Sequence, residues 1–135
     1  MIGRHLSSTR GAGLSYTSKL ARELDYDIFQ IFLGTPQNLI TKPRPLPELK
    51  KLGQSLVDNE EHMVIHGSYT INLCHPVDTP KGRASVRSLV QDLKASAEIG
   101  EKCLGVIIHM GKNIPDLDLT TKQALSNCRK GLRAA

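Results

Sequence analysis

The sequence predicts an α/β fold in which four strands alternate with four helices around a parallel sheet. Short apolar runs alternate with amphipathic stretches of helical period along the chain, and this alternation is typical of βα units. No linker or low-complexity segment interrupts the 135 residues, which fit one domain. Two architectures share this order of elements. One is a small open doubly wound sheet; the other is half of a (β/α)8 barrel, since a whole barrel needs about 250 residues.

Four short runs predict the strands. The second combines β-branched and aromatic residues and ends at Gly34, as strands often do. The fourth, Leu-Gly-Val-Ile-Ile, has no polar side chain, so we expect it to be the most clearly buried strand of the chain. The predicted strands are residues 2–6, 28–33, 63–65 and 104–108.

The predicted helices carry recognisable end signals. Thr79 before Pro80 is typical of an N-cap followed by proline at the first helical position, and Gly100 marks the end of that helix. A glycine-rich turn, residues 11–13, precedes the first helix. The predicted helices are residues 14–24, 47–59, 80–99 and 121–133. The residues predicted on the buried faces of the first two are Leu20, Ala21, Leu24, Leu49, Leu52, Leu56 and Val57.

The composition narrows the class of protein. Hydrophobic residues make up 39% and charged residues 23%, as in a folded globular chain. No apolar run approaches the roughly 20 residues of a membrane span, and the first residues lack the apolar core of a signal peptide. We therefore expect an intracellular protein, cytoplasmic or nuclear, with no membrane partner. The net charge of +5, from 18 basic and 13 acidic residues, is compatible with nucleic acid or phosphorylated substrates.

The three cysteines predict neither a disulfide framework nor a zinc ribbon. Cys74, Cys103 and Cys128 are odd in number, far apart in sequence and form no C-x-x-C pair. We expect each to be a reduced, partly buried small side chain.

Two histidines occupy equivalent positions in the predicted sheet. His66 and His109 directly follow consecutive predicted strands, and ligands gather at the carboxyl ends of parallel strands in both architectures. Neighbouring strands lie about 4.8 Å apart, so the two imidazoles can face one metal ion. Zinc would require at least one further ligand, typically a carboxylate. A structural role for each histidine in hydrogen bonding is the alternative.

Other polar residues are expected at the same end of the sheet. His5 follows the first predicted strand, and Gln37 lies in the loop after the second. In the loop after the third strand, Tyr69 can stack on a base or a sugar, and Asn72 can brace the loop through bonds to the backbone. Ordinary loop packing is the alternative for each of them.

Four segments, in order along the chain, resemble the endonuclease IV family of apurinic/apyrimidinic endonucleases. Residues 66–73, HGSYTINL, resemble that family's H-x-x-Y-x-I-N-L segment. Residues 2–7, IGRHLS, resemble its opening I-G-x-H-x-S, and residues 107–111, IIHMG, resemble its fourth-strand H-x-G. Ile31 and Phe32, followed by a loop containing proline, resemble its second strand and loop.

The resemblance implies a zinc-dependent enzyme of DNA repair. The family is a (β/α)8 TIM barrel that cuts DNA on the 5′ side of abasic sites with three zinc ions, by metal-assisted phosphodiester hydrolysis. By this resemblance His66 and His109 bind one zinc, and Tyr69 enters the DNA at the lesion. Thr70 stands where the family usually has an apolar wedge, and Gln37 stands where an arginine often enters the DNA. His5 is expected to line the same DNA-binding face.

Only about the first four βα units of such a barrel fit in this chain. The resemblance therefore implies that residues 1–135 form the N-terminal half of the barrel, as a single domain. The family's other zinc ligands lie on strands five to eight, so we expect the chain alone to be inactive. Either the chain is a fragment or a truncated product, or a second chain or a second copy completes the barrel. The alternatives are a non-catalytic DNA-binding remnant, a sugar isomerase of the xylose isomerase type, or a small α/β protein without metal.

Overall fold

A four-stranded parallel sheet in the order β1-β2-β3-β4 organises the fold, in a computed structural model that describes residues 3–7 and 13–135. Every neighbouring pair of strands is parallel, so the predicted partial (β/α)8 arrangement is confirmed. The strands are β1 (Gly3–His5), β2 (Ile28–Ile31), β3 (His62–His66) and β4 (Cys103–Ile107). The helices are α1 (Ser15–Glu23), α2 (Leu46–Asp58), α3 (Pro80–Ile99) and α4 (Thr121–Ala134), with a short 3₁₀ turn at Pro115–Leu117. Positions 11 and 12 of the predicted glycine-rich turn lie outside the described residues.

The helices cover one face of the sheet and form the main core with it. Phe29 and Ile31 of β2 and Met63 and Ile65 of β3 are almost fully buried there. They alternate with residues that face the other way, because side chains along a strand alternate between faces. From the helices, the buried residues of this core are Ala21, Leu49, Leu52, Leu56, Ala95 and Ile99.

The helix ends follow the sequence signals. Thr79 Oγ1 accepts a hydrogen bond from the backbone N–H of Gly82 at 3.1 Å, and Gly100 follows the last residue of α3. At the start of α4, Thr120 and Gln123 form a reciprocal capping box. The predicted caps at Thr79 and Gly100 are therefore confirmed.

The prediction that the fourth strand is the most clearly buried one was wrong. Leu104 is 58% exposed and Ile107 is 45% exposed. β4 is one of the two edge strands of the described sheet, and the helices cover only the face to which Cys103 points. A bulge adds to the irregularity, since two residues of β4 face one of β3 between the Met63–Cys103 and Ile65–Val106 pairs.

Smaller differences concern the ends and faces of elements. β2 ends at Ile31, β3 extends to include His66, and β4 spans Cys103–Ile107 rather than 104–108. Leu24 and Val57 are exposed rather than buried. Leu24 follows the last residue of α1, and Val57 points away from the core that its neighbour Leu56 enters. Within the described residues, no helix is long and apolar enough to span a membrane.

Gly53 permits the close approach of α2 to the end of α3. A Cβ atom at position 53 would lie 2.0 Å from the carbonyl oxygen of Ile99. We expect Gly53→Ala to lower the free energy of unfolding by about 1–3 kcal/mol in urea denaturation, because the overpacking outweighs the roughly 1 kcal/mol gain in helix propensity. The matched control is Gly131→Ala in α4, where the nearest atom, at 3.1 Å, is the flexible end of Leu73. Equal urea midpoints for the two variants would contradict this prediction.

Candidate metal and nucleic-acid site at the strand ends

Five aromatic rings meet where the strands end. The His66 ring lies with its centroid 5.3 Å from that of His109, 6.2 Å from His5 and 5.2 Å from Tyr69. Phe32 fills the centre, 4.6 Å from His66, 4.8 Å from His5 and 5.2 Å from Tyr69. The register explains the grouping, because parallel pairing brings the carboxyl ends of β1, β2 and β3 to one edge.

His66 is buried and held in one orientation by a hydrogen bond. Its Nδ1 lies 2.7 Å from the carbonyl oxygen of Gly67. A carbonyl oxygen only accepts, so this bond places the proton on Nδ1 and leaves a lone pair on Nε2. Metal-binding histidines are commonly oriented in this way.

His109 lies beyond the end of β4 and is exposed. His66 pairs with Ile107 across the two strands, so His109 is two residues further along than the register partner of His66. The 5.3 Å between the ring centroids is compatible with both imidazoles reaching one ion about 2.0–2.1 Å from each nitrogen.

The two imidazoles make up only part of a metal site. Within residues 3–7 and 13–135, no three side chains of His, Cys, Asp or Glu lie close enough together to hold a metal ion. Structural and catalytic zinc sites take at least three protein ligands. Any ion held here therefore needs a ligand from outside this set.

His5 is placed at the edge of the ring cluster and is uncharged at neutral pH. Partial burial of its ring lowers the pKa of His5 below 6.5, and the neighbouring His66 lowers it further. An uncharged imidazole there avoids repulsion with a cation near His66.

Tyr69 combines an exposed ring with a fixed backbone. The residue is 56% exposed, yet the inner edge of its ring packs against Phe32 and His66. Its backbone N–H donates to the carbonyl oxygen of Pro36 at 2.9 Å, and Ser68 Oγ donates to the same oxygen at 2.8 Å. The loop after β3 therefore rests on the loop after β2 and presents Tyr69 to solvent.

Asn72 ties the loop after β3 to the loop after β4. Its Oδ1 accepts from the backbone N–H of Cys74 at 3.0 Å, and its Nδ2 donates to the carbonyl oxygen of Lys112 at 2.9 Å. Gly111, with φ of +104°, allows the approach, since a Cβ there would lie 2.1 Å from Asn72 Oδ1. The bracing role predicted for Asn72 agrees with these bonds, which fix the loop that follows His109.

A cleft of about 530 Å³ adjoins the rings. Tyr69, Thr70, Asn72 and His109 line it, together with Lys112. Thr70 is exposed, and its hydroxyl donates a hydrogen bond to Ser68 Oγ at 2.7 Å, since the Ser68 proton is donated to Pro36. Gln37 is exposed in the neighbouring loop but does not line this cleft.

Three residues of this region were not predicted from the sequence as site residues. Phe32 was assigned to a strand, although its position two residues before Gly34 could have marked it as a strand-end residue. Lys112 reaches the cleft through the loop after β4. Asp92 of α3 lines a small space that His66 also lines, and burial raises the pKa of its carboxyl to about 6; only the packing of α3 brings it there.

Comparisons with known proteins identify the family. No protein-family model matches the chain. A protein of Acanthamoeba polyphaga mimivirus that is named a putative endonuclease 4 is 46% identical over 134 residues, which are 99% of this chain and 42% of that protein. The crystal structure of endonuclease IV from Thermus thermophilus matches with a TM-score of 0.76 and 26% identity, over 97% of this chain and 45% of that one.

The chain belongs to the endonuclease IV family. It spans less than half the length of the relatives that it matches. A D-psicose 3-epimerase structure also matches, with a TM-score of 0.61, 14% identity and coverage of 97% of this chain and 46% of that one. At that identity the likeness concerns the fold alone, and it agrees with a partial barrel. Membership of the endonuclease IV family accounts for both the motif at residues 66–73 and the partial barrel.

The two side-chain bonds of Asn72 lead to a stability prediction. We expect Asn72→Ala to lower the free energy of unfolding by about 1–3 kcal/mol, because each hydrogen bond contributes about 0.5–1.5 kcal/mol. Asn72→Asp keeps the acceptor for Cys74 but loses the donor to Lys112, so we expect a smaller loss. Urea denaturation measures both, and amide hydrogen exchange at Cys74 should accelerate in Asn72→Ala only. Unchanged exchange there would contradict the brace.

Proposed function

We propose that residues 1–135 are the N-terminal half of an abasic-site endonuclease barrel, folded as one domain, and that they act in base excision repair of DNA. The observation that carries the proposal is the placement of His66, His109 and Tyr69 around one point at the strand ends. The family membership supports the same reaction class. A DNA substrate implies an intracellular location, cytoplasmic or nuclear.

His66 and His109 are the proposed zinc ligands of this half. The hydrogen bond from His66 Nδ1 to the carbonyl oxygen of Gly67 supports a ring orientation in which Nε2 is the nitrogen that binds metal. Zinc bound there would act as a Lewis acid in phosphodiester hydrolysis. The further ligand comes from outside these residues, and we propose that a second chain or a second copy supplies it.

Tyr69 is the proposed contact at the abasic site. A missing base leaves a gap in the stack, and an aromatic ring on a rigid loop can fill it at little cost in conformational entropy. Thr70, Gln37 and His5 are proposed to contact the sugar-phosphate backbone. Lys112 at the cleft and the net charge of +5 favour the polyanion through counterion release.

A cleavage assay with an abasic duplex tests the proposal. The chain is incubated with zinc at increasing protein concentration, beside a measurement of its mass in solution. We expect selective binding to abasic DNA without cleavage by the monomer. Cleavage that a chelator abolishes and that rises with dimer fraction would mean that a second copy completes the site. Equal binding to abasic and intact duplex, without cleavage at any concentration, would overturn the proposal.

Loss of one imidazole should remove the zinc affinity of the chain. We expect His109→Ala to weaken zinc binding by about 100-fold or more, since even outer contacts of metal ligands contribute about 10–100-fold. Competition with a chromophoric chelator measures the affinity. The control is His62→Ala, at the opposite end of β3, which should bind zinc like the original chain.

The ring of Tyr69 should determine the preference for abasic DNA. We expect Tyr69→Ala to reduce the ratio of affinities for abasic and intact duplex by about tenfold, because stacking contributes about 1–3 kcal/mol. The salt dependence of binding should stay the same, since no charge is removed. Tyr69→Phe keeps the ring and should keep the preference. A preference that survives in Tyr69→Ala would assign this residue to loop packing.

A further inference from the structure

Two cysteines that are far apart in sequence meet in the interior, away from the ring cluster. The Sγ atoms of Cys74 and Cys128 lie 3.6 Å apart, although 54 positions separate them along the chain. Both thiols are free and both are buried. Cys74 lies in the loop after β3, and Cys128 lies in the middle of α4.

Other contacts hold the two segments in this relation. Asn127 Nδ2 donates to the carbonyl oxygen of Cys74 at 2.9 Å, so the backbone beside one cysteine is fixed to the residue next to the other. Gly131, one turn further along α4, faces Leu73 closely. The two thiols therefore lie within a packed interface between α4 and the loop after β3.

We propose that Cys74 and Cys128 are an oxidation site that forms an intramolecular disulfide with a hydroperoxide as oxidant. Bond formation requires the sulfurs to approach from 3.6 Å to about 2.05 Å, which small side-chain rotations and a slight shift of α4 supply. The buried residues of α4 are Ala124, Cys128 and Gly131, so a shift of this helix displaces few core side chains.

The chemistry balances with one equivalent of hydroperoxide. A thiolate of the pair attacks one peroxide oxygen, the O–O bond breaks, and water or an alcohol leaves with the remaining oxygen and a proton. The sulfenic acid so formed is attacked at sulfur by the second thiol, an S–S bond forms, and the second oxygen leaves as water. Two thiols lose two electrons, and the peroxide gains them.

The environment of Cys128 makes this reaction slow in the resting fold. Burial, and then the neighbouring Cys74, raise the pKa of the Cys128 thiol to about 11. Its thiol therefore keeps its proton at neutral pH, and thiolate is the reactive form. Reaction requires local opening of α4, which explains how the pair stays reduced under mild conditions and becomes oxidised under stronger ones.

The disulfide would join α4 to the loop that carries Tyr69. A disulfide between residues 54 positions apart restricts the conformations of the unfolded chain. The disulfide-bonded form should therefore be more stable against unfolding than the reduced form. We expect its melting temperature to rise by roughly 10 °C. This inference does not depend on the proposed nuclease function, because it concerns only the packing of the thiols.

Peptide mapping of the intact chain tests the proposal. The reduced chain is treated with hydrogen peroxide in native buffer, unfolded, alkylated with N-ethylmaleimide and digested with trypsin without reductant. The three cysteines fall in separate tryptic peptides, residues 52–81, 103–112 and 123–129. We expect a disulfide-linked pair of 52–81 with 123–129, and an alkylated 103–112. The link should disappear on reduction.

Three cysteine variants and a sample unfolded in guanidinium are the controls for the peptide mapping. Cys103→Ala should form the same link, because Cys103 packs in the other core cluster, where Ser96 Oγ donates to its sulfur. Cys74→Ser and Cys128→Ser should each abolish the rise in melting temperature. In guanidinium the selectivity should be lost, which shows that the fold directs the pairing. Three alkylated thiols after peroxide treatment in native buffer, or links that involve Cys103 equally, would overturn the proposal.

Discussion

Parallel pairing of β1, β2 and β3 in register holds the site together, because it forces the residues at the carboxyl ends of neighbouring strands to one edge of the sheet. His5 and His66 come from strands on either side of β2, and Phe32, just after β2, fills the space between them. A shift of register by one residue would turn these side chains to the opposite face. The core residues of β2 and β3 prevent that shift, since it would expose them to water.

Hydrogen bonds between the loops fix the residues that follow the strand ends. The loop after β3 rests on the carbonyl oxygen of Pro36 on one side and is tied by Asn72 to Lys112 on the other. Tyr69 is therefore exposed on a fixed backbone, which suits a residue that recognises a gap in DNA. On its far side the same loop meets α4 through Cys74. Chemistry at the thiol pair would thus act on a segment continuous with the proposed DNA contact.

One face of the sheet is exposed, as expected for a chain that matches only part of the family's barrel. Leu104 and Ile107 lie open at the edge strand, and the metal-binding groups brought together within the described residues number two where zinc sites use at least three. The exposure has a physical reason, because a closed barrel buries its inner face only when all of its strands are present. The matched relatives are more than twice as long as this chain.

The order of the elements, the caps at Thr79 and Gly100, and the two strand-end histidines could be predicted from the sequence, because these depend on local spacing and on turn chemistry. The motif at residues 66–73 also led to the family. Which residues meet became evident from the packing of the fold. It brought Phe32 and Asp92 to His66, exposed one face of β4, left Gln37 outside the cleft, and placed Cys74 beside Cys128. These outcomes arise from contacts between segments that are distant in sequence. The geometry of such contacts depends on how the helices pack on the sheet, and the local pattern of residue types does not determine that packing.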